Sequence, residues 1–160
     1  MQHRDVSKII TLGSDHAGFH LKRQIIKYLE NQGYEVIDRG TLSDEPCDYP
    51  DFAEPVARDV ISGNARFGIL ICGTGIGMSI VANKFPGIRA ALCSNEFSAR
   101  YARQHNDANV LTLGGRVIGT DLALSILHVF LNTDFAGVKP GEERHVRRIE
   151  KISKIESALK

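Results

Sequence analysis

GILICGTGIGMS, residues 68–79, joins an apolar run directly to three glycines at alternate positions. Ile69 to Ile71 read as a buried strand, and Gly73, Gly75 and Gly77 as a tight turn that opens a helix. A strand passing through glycines into a helix is the repeating unit of a parallel sheet with helices on its faces. Cys72 stands at the joint. Taken alone it reads equally well as a packing residue or as a functional thiol.

The same alternation extends outward in both directions. KIITLGSD (8–15) reads as a buried strand, followed by a helix over 18–32 with Leu21, Ile25, Tyr28 and Leu29 on one face and Gly33 past its end. YEVID (34–38) is a second strand. Asp51 with Glu54 has the spacing of an N-cap and its reciprocal partner, opening a helix that carries Val56, Val60 and Ile61. After the glycine loop, a helix to about Asn83 leads to a strand over 88–93. A helix over 95–104, a strand over 109–114 and a helix over 119–131 follow. From 142 onward Val146, Ile149, Ile152, Ile155 and Leu159 form one stripe of a final amphipathic helix, docked on its own domain or on a partner. The expected fold is α/β: a Rossmann-like three-layer α/β/α sandwich with a five-stranded parallel sheet and a carboxy-terminal helix, one domain over 1–160.

Composition narrows the function classes. Of 160 residues 42% are hydrophobic and 24% charged, and the net charge of +1 gives no reason to expect nucleic acid or a membrane surface as partner. Apolar runs are strand-sized, and MQHRDVSKII lacks the apolar core of an export signal. Three cysteines fit neither a disulfide framework nor a zinc knuckle. A reduced, cytoplasmic protein is the expectation.

In parallel sheets ligands gather at the carboxyl ends of strands, and here those ends carry chemistry. The first holds Asp15 and His16, the loop after the second holds Tyr49, and the third holds Cys72 and the glycines. N–H groups from Gly73 to Gly77 at a helix start form an anion cradle, whose field favours negative charge on a neighbouring sulfur. Known phosphate motifs fail to fit. The third glycine of a dinucleotide fingerprint and the arginine of a cysteine phosphatase would both fall on Met78, and the Gly-Lys-Ser/Thr ending of a P-loop is missing. A serine hydrolase elbow would place Ser where Thr74 or Ile76 stands. What remains for Cys72 is the role of a proton-abstracting base beside an oxyanion hole.

Basic residues supply a second half. Arg144 and Arg148, four apart at the start of the last helix, share a face and can fork onto a phosphate, while the bland alternative is a solvated helix face. Arg116 follows the fifth strand. His105 lies after a helix and before that strand, on the sheet edge opposite Asp15 and Cys72. To work with Cys72 it must reach the site of a neighbouring subunit, which implies an isologous dimer with two composite sites. Cys47 and Cys93 read as bystanders.

GSDHAGF (13–19), YEVIDRGT (34–41), DYPDFA (48–53), residues 68–92, SARYARQHNDANVLTLGGRVIG (98–119) and RHVRRIEKI (144–152) together resemble the type B ribose-5-phosphate isomerases, in the sugar-phosphate isomerase family that includes galactose-6-phosphate isomerase. The likeness runs over about residues 8–157. It implies a Rossmann-like sandwich, dimeric or a dimer of dimers, with no metal or other cofactor and a small sugar phosphate as substrate. By that resemblance Cys72 takes the C2 proton, and N–H groups of Gly73, Gly75, Ile76 and Gly77, with Thr74 alongside, hold the enediolate oxygens. His105 helps open the furanose ring with Asp15 assisting, and Asn106 contacts substrate. His16, Arg116, Arg144 and Arg148 are phosphate and sugar contacts, and Tyr49 lines the pocket. Where some relatives place a glutamate in the glycine loop, this chain has Ile76. The implied reaction interconverts ribose 5-phosphate and ribulose 5-phosphate, in the non-oxidative branch of the pentose phosphate pathway. The alternatives are isomerisation of a six-carbon aldose phosphate, such as allose or galactose 6-phosphate, and non-catalytic sugar-phosphate binding.

Overall fold

The computed structural model describes residues 5–159. Five strands, β1 (Ile9–Ser14), β2 (Glu35–Asp38), β3 (Phe67–Cys72), β4 (Ala90–Leu92) and β5 (Val110–Gly114), form one parallel sheet in the order β2-β1-β3-β5-β4. β1, β3 and β5 are buried at every position, which is why they read as unbroken apolar runs rather than alternating ones. β2 and β4 lie at the edges and are partly exposed.

Helices cover both faces. Helices α1 (Phe19–Asn31), α4 (Glu96–Asn106) and α5 (Thr120–Leu131) pack Leu21, Ile25, Leu29, Ala99, Ile126 and Phe130 on one face with Ile10, Ile69 and Leu111 of the sheet. Helices α2 (Pro50–Ile61) and α3 (Ile76–Ala82) pack Val56, Ala57 and Met78 on the other with Leu70 and Cys72. This is the expected three-layer sandwich. Gly33 closes α1 at φ +79°, a conformation glycine adopts without a Cβ penalty. Among the described residues one stretch, 120–138, is long and apolar enough to cross a membrane, but its helix ends at Leu131 and buries Ala123, Ile126, Leu127 and Phe130 in the core.

Two expectations need correction. Asp51 is not the cap of α2: Pro50 takes the first helical position and Tyr49 precedes it, so Asp51 lies in the first turn, and Glu54 instead receives a hydrogen bond from Arg58 Nε at 2.8 Å. The helix expected to end at 104 runs on to Asn106, so His105 and Asn106 belong to its last turn. Asp107, at φ +44°, supplies the left-handed stop.

The last helix, α6 (Arg144–Ala158), follows a short 3-10 turn at Ala136–Val138 and packs on that turn and on α4. His145 is its one buried residue, and Ile152, Ile155 and Leu159 line a groove of about 470 Å³ with Ile88, Ala90 and Ala108. The stripe read from the sequence is therefore left largely open to solvent.

Candidate active site

The sheet order reverses direction between β1 and β3: from β1 the chain moves outward to β2, from β3 towards β5 and β4. The crevice at such a switch point is where open α/β sheets bind ligands. Ser14 pairs with Ile71, and the N–H of Asp15 donates to Ile71 O at 3.2 Å, so Asp15 and Cys72 leave the sheet side by side. Asp15 is buried and caps the 3-10 turn His16–Gly18, its carboxylate accepting from Gly18 N–H at 3.1 Å. His16 Nδ1 accepts the N–H of Cys47 at 3.2 Å, which ties the loop after β2 to the site.

Cys72 is 5% exposed, and the N–H of Gly75 donates to its sulfur at 3.1 Å. Gly75 sits at φ +79°, and a methyl there would lie 2.6 Å from Leu92 and 2.9 Å from the Leu113 backbone, so the turn admits no side chain. Thr74 is exposed, and its hydroxyl accepts from Ile76 N–H at 3.3 Å. The first hydrogen bond along α3 runs from Ser79 to Gly75, so the N–H groups of Gly77 and Met78 have no partner within the helix. Arg116 lies over Gly73, and the Tyr49 ring lies on Gly77. Asp15, His16, Tyr49, Cys72, Gly73, Thr74, Gly75, Ile76, Gly77 and Arg116 thus share one edge of the sheet.

His105, Asn106, Arg144 and Arg148 lie together elsewhere. Arg89, just before β4, donates from Nε to Asn106 O and Asp107 O, both at 3.0 Å, which pins the end of α4 to the amino-terminal edge. In register, Ala90 pairs with Val110 and Val110 with Gly68, four residues before Cys72, or roughly 13 Å along the strand. The His105 ring stacks on His145 at 4.3 Å and 10° between planes. Burial, then His145 and Arg144, with Arg148 beyond, push His105 below the ordinary histidine range, while Glu142 pulls the other way. The two arginines therefore go with His105 and not with Cys72 of the same chain.

Cys93 is a packing residue: burial pushes its thiol up to about 11. Lys22 and Glu142 near these halves escaped the sequence reading, and His145 reads there only as one of the basic residues at the start of the last helix. Lys22 is buried, with Nζ 2.7 Å and 2.9 Å from the Asp38 carboxylate oxygens and 2.7 Å from Thr41 O, and so anchors the loop leading to His16 and Tyr49. Its signal was a lysine at the inward spacing three before Ile25 and seven before Leu29. Glu142 carries no such signal, and nothing in the sequence marks His145 as buried.

The sequence model described as Ribose/Galactose Isomerase matches residues 10–152. Ribose-5-phosphate isomerase B of Escherichia coli (strain K12) is 50% identical over 149 residues, covering 93% of this chain and 97% of that protein. The galactose-6-phosphate isomerase subunit LacB of Clostridium acetobutylicum is 42% identical over 135 residues, with 84% and 78% covered. Among solved structures, ribose-5-phosphate isomerase B of Clostridium thermocellum superposes with a TM-score of 0.91 at 53% identity, covering 95% of this chain and 99% of that one. These matches make the chain a member of the ribose/galactose isomerase family.

Proposed function

We propose that this protein interconverts ribose 5-phosphate and ribulose 5-phosphate through an enediolate. Cys72, as thiolate, takes the C2 proton of the open-chain aldose and returns it to C1, so the exchange consumes no redox equivalent. Negative charge developing on the sugar oxygens is met by N–H groups of the Gly73–Gly77 turn, with Thr74 beside them. Asp15 assists ring opening, His16 and Arg116 contact the sugar phosphate, and Tyr49 lines the pocket. The observation that carries this reading is the placement of the Cys72 sulfur at the mouth of the glycine turn, with Ile76 leaving no carboxylate in the turn to compete as base.

The ring-opening group, His105, comes from a second copy of the chain, together with Asn106, Arg144 and Arg148. Two copies related by a two-fold axis complete two sites. The apolar residues exposed near the site, Ile80, Leu92 and Phe97, and the unpaired edge of β4 supply surface for that contact. Three free thiols suit a reducing cytoplasm.

Cys72→Ala tests the base. Expected is a fall in kcat of roughly 10³-fold with sugar-phosphate binding and the unfolding midpoint retained; activity near that of the parent would refute the thiol as base. The 42% likeness to a galactose-6-phosphate isomerase subunit favours testing six-carbon substrates too. Ribose, allose and galactose 6-phosphates assayed side by side should rank ribose 5-phosphate first in kcat/KM.

A further inference from the structure

Glu142 lies just before α6, and one oxygen of its carboxylate serves two neighbours. Oε2 is 2.8 Å from Arg144 Nη2 and 3.1 Å from His145 Nε2. The His145 contact is close but not aligned as a hydrogen bond, and neither ring nitrogen of this buried histidine has a hydrogen-bonding partner. A buried polar ring in that condition costs desolvation free energy that no hydrogen bond offsets. What it does supply is a flat surface on which His105 lies, while Tyr101, one turn earlier on α4, packs on the His105 ring at 4.7 Å.

The groups facing His105 are Tyr101 of its own helix, His145, Arg144 and Arg148 of α6, and Glu142. Arg89 and Arg103 stand near the end of α4 but close on Asp107, at 3.0 and 2.8 Å. Glu142 is the carboxylate that acts on His105 against this positive charge.

We propose that Glu142 is a positioning residue for His105: one oxygen pairs with Arg144 and lies 3.1 Å from Nε2 of the His145 ring on which His105 stacks, and so sets the charge around the His105 ring. The proposal rests on reading His105 as the ring-opening group and Arg144 as a phosphate contact. By pairing with Arg144, Glu142 also holds that guanidinium in place for an arriving phosphate dianion, so substrate capture and placement of His105 share one carboxylate.

Glu142→Gln keeps the shape and removes the charge, and Glu142→Asp keeps the charge on a shorter arm. Ring-proton NMR titration, with the His105 signal assigned by its loss in His105→Asn, reads the coupling without turnover. Removing the carboxylate leaves positive neighbours unopposed, so the His105 midpoint should fall by roughly half a pH unit in Glu142→Gln and return towards the parent value in Glu142→Asp. In Glu142→Gln the KM for ribose 5-phosphate should also rise by a larger factor than kcat falls. An unchanged His105 midpoint in Glu142→Gln overturns the proposal, whatever the kinetics. A parent protein without isomerase activity would refute the functional reading alone, because the titration is read without substrate.

Discussion

At Gly77 the backbone passes so close beneath Tyr49 that a methyl group would sit 2.8 Å from two carbons of the ring. Gly77→Ala must therefore push away either the Tyr49 ring or the first turn of α3, which carries the proposed anion cradle. Overpacking of this kind costs about 1–3 kcal/mol. Gly33 offers a control of the opposite character: nothing lies within 4 Å of a methyl there, but its φ of +79° is strained for any L side chain, at about 1–2 kcal/mol. Both alanine variants should lower the urea midpoint, while only Gly77→Ala should also lower kcat/KM for ribose 5-phosphate. Equal loss of activity in the two, or none in Gly77→Ala, would mean that the Tyr49–Gly77 contact does not shape the site. The thiols divide in the same way, Cys72 meeting a backbone N–H of the turn and Cys93 sealed among apolar neighbours.

The junction of α4 and α6 turns a local arrangement into a pH dependence. His105 has a folded pKa below its ordinary value, so near neutrality the unfolded chain binds more protons at this position than the folded one. The stability it contributes is fully present above about pH 6.5 and is lost as pH falls through that value towards the lower folded one. Urea unfolding between pH 7.5 and 5 should show a declining midpoint, and His105→Gln should flatten that decline. A slope unaltered by the substitution would place the acid sensitivity elsewhere. Asp59 acts lower on the scale. Burial raises it, but hydrogen bonds from Arg39 and Thr11 more than reverse this, so its contribution persists above the ordinary carboxylate range and is lost only in stronger acid. These elements also show where the sequence was legible. β1, β3 and β5 could be read directly because burial on both faces makes them continuously apolar, and the glycines after Cys72 announced their turn. The end of α4 was harder: His105-Asn106-Asp107 reads as a turn, yet only Asp107 leaves helical geometry. The start of α2 misled for a similar reason, since Asp51 and Glu54 have capping-box spacing but Pro50 already begins the helix. Lys22 and His145 were hidden because charge and polarity ordinarily mark the surface, and only tertiary partners, or a stacked ring, keep them inside.

For the whole molecule the decisive fact is that the candidate groups fall on two edges of one sheet. Cys72 and the glycine turn occupy the carboxyl-terminal edge, and His105 with Arg144 and Arg148 the other, separated by about the length of β3 and far beyond the reach of an imidazole. Rotation of a side chain or a loop cannot close that gap within one chain, whereas a two-fold axis can, by setting the His105 edge of one copy against the Cys72 edge of the other. This arrangement makes a quantitative prediction. Cys72→Ala and His105→Ala homodimers should each be inactive or nearly so. Mixed at equal concentration and allowed to exchange subunits, half of the dimers become hybrids, and each hybrid holds one doubly damaged site and one site with both groups intact. Activity should therefore rise from near zero to about one quarter of the parent value per subunit. Hybrids purified by two affinity tags should reach about one half. If tagged hybrids are recovered and remain as inactive as their parents, Cys72 and His105 do not meet across the subunit boundary, and the composite site must be abandoned.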